Sequence, residues 1–401
     1  MIDLASPIAP NPLSATSVAS AFLPLKTALA ATAVERDRAG GTAWAERQAL
    51  RDSGLLNAAV PVRFGGLGLF WPEILRLVRG LAEVDSSLAH LFGFQHLQVA
   101  SVLLFGSKAQ QARYLGATVG QGWFWGNAVN ARDTRLTVAP HPGGFVLDGI
   151  KSFCSGAQGS DVLTVSFATG PLPTDRLFAV VPTDRDGITV NDDWDNMGQR
   201  QTDSGSVRFD RVVVRADEVL GPPGVASSPR ATLRNLIGQL ILTEIYLGNA
   251  QGALNEAVAY LKEHVQPWAM AGVEHAQDDP VMQLNAGDLF IGLRAATTLA
   301  DHALDRFQSA WDAGANLDAG QRGELAIDIA AARVQAGRTA LDVTARIFEL
   351  VGARATARRH GFDRFWRNVR VHTLHDPLDH RRKAVGHWLL TGQTPDPYGY
   401  G

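Results

Sequence analysis

A single cysteine, Cys154, stands in 401 residues. No disulfide can therefore close within the chain, and no multi-thiolate metal site can form. A reducing, cytoplasmic setting is expected. An excess of one charge is also missing, with Lys+Arg 37 against Asp+Glu 40 and a net charge of -3. No basic stripe is long enough to neutralise a run of phosphates, so no nucleic-acid partner is expected. Long apolar runs are scarce. The richest, from Leu236 to Leu247, is broken by Gln239 and Glu244, and no membrane span is expected. The first dozen residues carry several prolines and no basic region, which excludes a signal or transit peptide and suggests a flexible arm.

Several catalytic signatures are absent as well. There is no G-x-x-x-x-G-K-[ST] phosphate loop, and Gly120-Gln-Gly-Trp-Phe-Trp-Gly has the wrong spacing for a dinucleotide fingerprint. H-E-x-x-H, E-x-x-H and G-x-S-x-G are missing, which removes the zinc protease, the helical di-iron centre and the hydrolase elbow. His372 and His375 have no third ligand at an established spacing, so no metal is expected.

What remains is an ordinary globular composition, 46% hydrophobic and 19% charged, in a chain long enough for two or three packed units. From about Ser17 to Tyr114 the pattern is helical, punctuated by Pro61 and Phe64-Gly-Gly-Leu-Gly. From about Trp123 to Leu220 it changes to short β-prone runs, among them Val162-Leu-Thr-Val-Ser-Phe and Ser206-Val-Arg-Phe, which suggest a small antiparallel barrel or sandwich. Beyond Leu220-Gly-Pro-Pro-Gly-Val, Ala-rich segments from Arg230 through Arg346 suffice for a bundle of about four helices. The expected organisation is α+β: an N-terminal helical domain (1–121), a middle β-domain (122–225) and a C-terminal bundle with its tail (226–401).

The densest chemistry lies in Gly361-Phe-Asp-Arg-Phe-Trp-Arg-Asn-Val-Arg-Val-His-Thr-Leu-His375-Asp-Pro. It reads as one short helix stopped by Pro377. Arg364, Arg367 and Arg370 recur every three residues, as do His372 and His375, so each set shares roughly one face. The plain alternative is a solvated basic face with aromatic packing behind it.

Three segments carry a resemblance. Asp193-Trp-Asp-Asn-Met-Gly-Gln-Arg-Gln-Thr-Asp-Ser-Gly-Ser, running on to Asp217-Glu-Val-Leu-Gly, resembles the end of the middle β-domain of acyl-CoA dehydrogenases. Lys151-Ser-Phe-Cys-Ser-Gly-Ala resembles that family's flavin-contacting strand, and Gly352-Ala-Arg its cofactor-binding bundle helix. Within the superfamily, His90-Leu-Phe-Gly, Phe153-Cys-Ser-Gly-Ala and Gly361-Phe-Asp-Arg-Phe-Trp-Arg-Asn-Val-Arg are similar to the dibenzothiophene monooxygenase branch of biodesulfurisation. A dehydrogenase normally bears a catalytic glutamate in the loop where this chain has Val371-His-Thr-Leu-His375-Asp-Pro.

The resemblance implies an FMNH2-dependent two-component monooxygenase. Reduced FMN comes from a separate NAD(P)H-dependent flavin reductase and reacts with O2 to a C4a-hydroperoxide, which oxygenates the sulfur of a small apolar sulfide or sulfoxide. Imidazole replacing carboxylate fits proton exchange near neutral pH. By resemblance, His375 lies beside the flavin as proton donor or base, with His90 and Ser155 as catalytic partners. Asn127, Ala128, Val129, Asn130 and Ala131 would run along the flavin with Lys151, Ser152, Phe153, Cys154 and Ser155. Ala353 and Arg354 would hold its phosphate, and Phe94 and Trp194 would form aromatic walls, Trp194 toward substrate. A homotetramer built on the bundle is implied too.

Alternatives remain. His90 on an apolar helix reads equally as a hydrogen-bonded core histidine, and Cys154 as packing. His372 either supports His375 or faces solvent. The family arginine before Pro267-Trp268 is replaced by Gln266, the family tyrosine by Phe94, and the stretch from Arg132 to His141, expected as a lid, is short. Indole-type aromatics are the alternative substrates. An FAD-dependent acyl-CoA dehydrogenase using Glu244 as a displaced base, and a non-catalytic flavin- or CoA-binding homologue, are the rival functions.

Overall fold

The computed structural model describes residues 15–398, so the arm expected at the N-terminus lies largely outside them. Five helices come first: α1 (Ala15–Ala39), α2 (Trp44–Asp52), α3 (Trp71–Ala82), α4 (Ser86–Phe105) and α5 (Lys108–Gly120). Seven strands follow: β1 (Trp125–Ala128), β2 (Thr137–His141), β3 (Gly144–Lys151), β4 (Val162–Ala168), β5 (Arg176–Pro182), β6 (Ile188–Val190) and β7 (Val207–Arg215). The chain ends in α6 (Leu233–His264), α7 (Pro280–Ala313), α8 (Ala319–Val351), α9 (Asp363–Thr373) and α10 (Leu378–Thr391).

The strands form two sheets, ordered β1-β4-β5 and β2-β3-β7-β6. The expectation of a wholly antiparallel domain needs correction, because β1 pairs parallel to β4. The connection between them passes through the second sheet, and such a crossover is what parallel pairing requires. β7 shows how the sequence aims its side chains: Val207, Phe209, Val212 and Val214 are buried, and the alternation breaks at Asp210-Arg211. There Arg211 takes φ 49° and the register against β3 shifts, a bulge that restores the inward face. The inward residues of both sheets make one core around Leu147, Val165, Phe209 and Val214.

The expected lid from Arg132 to His141 is only half a loop. Thr137–His141 is β2, an edge strand whose Pro140 hid its strand character in the sequence. Likewise only three long helices lie between Arg230 and Arg346, and α10, packed on α8, supplies the fourth. Pro377 therefore caps the start of α10 rather than simply ending the chain's helical run.

α6 and α8 run parallel, since Arg322 at the start of α8 donates to Thr232 just before α6. α9 runs back along α6: Arg364 pairs with Glu256, Asn249 donates to the Phe365 carbonyl, and the Tyr246 hydroxyl donates to the His372 carbonyl. α4 lies against α6 so closely that a Cβ on Gly93 would meet Ile241 at 2.6 Å. A single apolar core accordingly runs from the N-terminal helices into the bundle. By length and apolar composition alone Ser17–Ala39 and α4 would each suffice to cross a membrane, which the reading of broken apolar runs did not single out. α4 owes this to its place in the protein core, where 83% of its most apolar window is buried.

Candidate active site

α4 supplies the first component. Its N-terminus is capped by Asp85, which accepts from the Leu88 amide at 2.9 Å and is held by Arg36. One turn on, His90 is buried, and its ring stacks on Phe94 with centroids 4.0 Å apart. Neither ring nitrogen of His90 has a hydrogen-bond partner among the described residues. Burial, with His375 nearby, pushes its pKa down to about 3, so the ring is neutral.

α9 brings the second. His372 is buried 5.0 Å from His90 between ring centroids, and its Nδ1 also lacks a partner. Of the two readings of His372, facing solvent is thus excluded. Burial lowers its pKa well below the usual imidazole value. His375 sits two residues beyond α9, in the turn before α10, with its ring open to solvent but flanked by protein. Desolvation and the Arg333 guanidinium lower its pKa, while Asp376 opposes them. The three imidazoles thus form one group, sealed at His90 and His372 and open at His375.

The β-domain contributes the facing wall. The Asn127 amide donates to the Ser155 carbonyl at 3.0 Å, and Gln98 of α4 donates to the Asn127 side chain at 3.3 Å. Ser155 is buried, its Oγ 2.7 Å from Ser204 Oγ, which lies 2.7 Å from Thr202 Oγ1. Phe153 takes φ 59°, which a bulky residue rarely adopts, and its ring is exposed, edge-on to Trp194 at 6.1 Å. Trp194 is fixed by donating its indole N–H to the Gln199 carbonyl at 2.8 Å. Lys151 donates to the Asn130 carbonyl at 2.8 Å, and burial lowers its pKa to about 8. Asn130 also donates to Ser152 at 3.4 Å, which ties the loop holding Ala131 against the β3 end. Cys154 turns away into the β-domain core, and burial raises its thiol to about 12. Only its main chain is left to meet a ligand.

The arginines of α9 and the pair expected to hold the phosphate both lie away from the imidazoles. Arg364 and Arg367 do not line the site: Arg364 pairs with Glu256, while Arg367 holds Asp37 of α1 and the Met197 carbonyl. They dock α9 between the domains. Ala353 and Arg354 follow the end of α8, whereas Arg333, which pairs with Asp376 beside His375, is mid-helix. At about 1.5 Å of rise per residue, about 27 Å separates Arg333 from the end of α8. Within one chain Ala353 and Arg354 therefore lie far from the imidazoles. Gln266, after the C-terminus of the parallel helix α6, lies at that same distant end. Glu244 is likewise consumed: it is buried and paired with Arg79 at 2.5 Å. Among the described residues no group of three His, Cys, Asp or Glu side chains is arranged to hold a metal.

Tyr246, Arg333 and Asp376 escaped the sequence reading. They come from α6, α8 and the turn after His375, and nothing local in an Ala-rich helix marks a lone arginine such as Arg333 as part of a site.

The chain matches the acyl-CoA dehydrogenase family in all three parts: its N-terminal domain at residues 19–121, middle domain at 126–212 and C-terminal domain at 240–380. It is 44% identical to the Probable FMNH2-dependent monooxygenase SfnC of Pseudomonas putida, over 92% of this chain and 94% of that protein. It is also 44% identical to a dibenzothiophene monooxygenase of Mycolicibacterium goodii, over 91% and 92%. Among solved structures, methanesulfinate monooxygenase MsuC from Pseudomonas fluorescens superposes with TM-score 0.92 at 44% identity, covering 96% of this chain and 99% of the other. TdsC from Paenibacillus sp. A11-2, in complex with FMN and indole, gives TM-score 0.92 at 40% identity, with 96% and 99% covered. The chain is an oxidoreductase that belongs to the acyl-CoA dehydrogenase family, in its flavin-dependent monooxygenase branch.

Proposed function

We propose that the chain uses FMNH2 and O2 to oxygenate the sulfur of a small apolar aromatic or alkyl sulfide or sulfoxide. The observation that carries this reading is the group His90, His372 and His375, beside which, among the described residues, Asp376 is held by Arg333 and Arg381, with Glu244 held by Arg79. Abstracting the α-proton of a thioester needs a carboxylate base, and the dehydrogenase rival lacks one here. The names of the relatives, FMNH2-dependent and dibenzothiophene monooxygenases, support the same chemistry.

The residues suit a flavin. Unpartnered buried nitrogens on His90 and His372 offer hydrogen bonds to a polar-edged ligand, and the exposed Phe153 ring with Trp194 offers an aromatic face. Asn127 to Ala131 and Lys151 to Ser155 would hold the ring system. Reduced FMN, when bound, supplies two electrons to O2, so that one oxygen atom passes to sulfur and the other leaves as water. His375, open to the site, delivers and recovers the proton, while neutral His90 and Ser155 orient the reacting oxygen by hydrogen bonds. Phe94 backs His90, and sealed packing around α4 excludes water.

Arg354, remote from His375 in its own chain, would reach the flavin phosphate of a second copy, and its fork suits that group. We therefore infer a homotetramer with shared sites, a separate NAD(P)H-dependent flavin reductase as functional partner, and a cytoplasmic location. TdsC, solved with indole, makes an indole-type aromatic the second substrate reading.

The test is oxygenation with 18O2, FMN, NADH, an NADH-dependent flavin reductase and either dibenzothiophene or indole. One 18O per oxygenation step in a sulfoxide product is expected. Bleaching of bound FAD by an acyl-CoA, with no label incorporated, would establish the dehydrogenase rival instead.

A further inference from the structure

Asp376 follows His375 directly and is 1% exposed, as is Arg333. The Arg333 guanidinium grips it twice, at Oδ2 (2.8 Å) and at the main-chain carbonyl (3.2 Å). Arg381, on the first turn of α10, approaches the same Oδ2 at 3.2 Å. The Tyr246 hydroxyl, which also hydrogen-bonds Arg333, donates to the His372 carbonyl at 3.0 Å and the His375 amide donates to that carbonyl at 3.1 Å. The turn carrying His375 is thus pinned at both ends to α6, α8 and α10. A buried ion pair is seldom more stabilising than apolar side chains of equal volume, so stability alone does not account for two guanidiniums on one carboxylate. The second contact of Arg333 fixes the backbone beside the imidazole, which a side-chain pair by itself would not do.

We propose that Asp376, held between Arg333 and Arg381, is the positioning residue for His375, fixing the turn that bears the ring and setting the charge it faces. This deepens the monooxygenase reading and rests on it for the importance of His375. The charged and titratable groups around the ring are Arg333 from α8, Asp376 from its own turn, Arg132 from the loop after β1, His90 from α4 and His372 from α9, with Arg381 of α10 and Tyr246 of α6 behind Asp376. Removing the carboxylate leaves the cations unopposed and lowers the proton affinity of His375; removing Arg381 raises it.

The experiment is carbethoxylation of His375 by diethylpyrocarbonate against pH, read by peptide mass spectrometry, since only the neutral imidazole reacts. The full-length protein is used without flavin or substrate, so a failure here is distinct from a failure of the monooxygenase reading. Asp376→Asn should move the midpoint down by about half a pH unit or more, and Arg381→Met, behind the carboxylate, should move it up by less. Asp376→Glu should return it toward the wild type. Coincident midpoints, or both variants moving the same way, would overturn the proposal. Should Asp376→Asn not fold by circular dichroism, Arg381→Met at the edge of the network decides alone, an upward shift supporting the proposal and an unchanged midpoint refuting it.

Discussion

The proposed reaction concentrates its proton chemistry in the one ring of His375. Replacing it by Ala should lower product formation at least about a hundredfold, the usual range for a lost general acid or base. Circular dichroism should show little change, because an exposed side chain contributes little packing. His90→Ala and Ser155→Ala should also lower turnover, with combined effects less than additive if they act together. Product measured per O2 consumed checks this, and near wild-type coupling in His375→Ala would remove the ring from the mechanism. The buried imidazoles have a second consequence. His90 and His96 both have pKa values pushed down to about 3, and His372 lies well below its usual value. Above pH ~6.5 these rings are neutral folded or unfolded, so they add no pH dependence. Below it the unfolded chain takes up protons that the folded one refuses, and stability falls by about 1.4 kcal/mol per pH unit for each ring until the folded pKa is reached. His96, packed edge-on to Phe92 with both nitrogens unpartnered, lies outside the proposed chemistry. His96→Leu should therefore gain stability relative to the wild type as pH drops from about 8 to 5. Thermal melts across that range test it; a constant difference would show that His96 titrates alike in the folded and unfolded chain.

At the scale of elements, α9 is the piece that brings the domains to the site. It is tied to α6 by Arg364 and Asn249, to α1 by Arg367, and to the β-domain by the Asn368 side chain, which accepts from the Gln199 amide at 2.6 Å. The approach is close enough that a Cβ on Gly198 would lie 2.3 Å from the Arg367 carbonyl oxygen. Gly198→Ala should therefore push α9 from the β-domain and cost about 1 to 3 kcal/mol, as overpacking does. Urea unfolding measures the cost, and turnover should fall with it because His372 and His375 ride on the displaced segment. An unchanged midpoint in urea would mean that the contact is soft.

For the whole molecule, the proposed roles of Arg354 and His375 predict a shared site, since the two lie far apart along α8 within one chain. The outward face of α7 carries Val281, Leu284, Ile291 and Phe290, all more than half exposed, a surface that an isolated chain would leave to water. Light scattering should give four times the chain mass. Arg354→Ala and His375→Ala should each be nearly inactive alone. Unfolded together and refolded as random mixed tetramers, they should recover about a quarter of wild-type activity, since that share of sites combines an intact His375 with an intact Arg354 from the neighbour. No recovery would place the phosphate contact elsewhere.

The order of helices, strands and helices was legible from periodicity alone, because hydrophobic alternation and helical spacing are local properties. The histidines and arginines from Arg364 to His375 stood out by residue type, whereas His90-Leu-Phe-Gly and Lys151 to Ser155 were legible only through resemblance to a family. Other features were decided only in three dimensions. The strand Thr137–His141 is held by pairing that overrides its proline, and the parallel partner of β1 lies more than thirty residues away. The arginines of α9 look like a basic face until Glu256, Asp37 and Met197 arrive from other elements to neutralise or accept from them. His372 and His90 become one group because α4 and α9 meet across α6, and Asp376 becomes a clamp because Arg333 lies at that level of α8. Sequence determines which side chains can carry charge, rings and protons; the packing of distant elements decides which are desolvated and paired, and that sets what each can do.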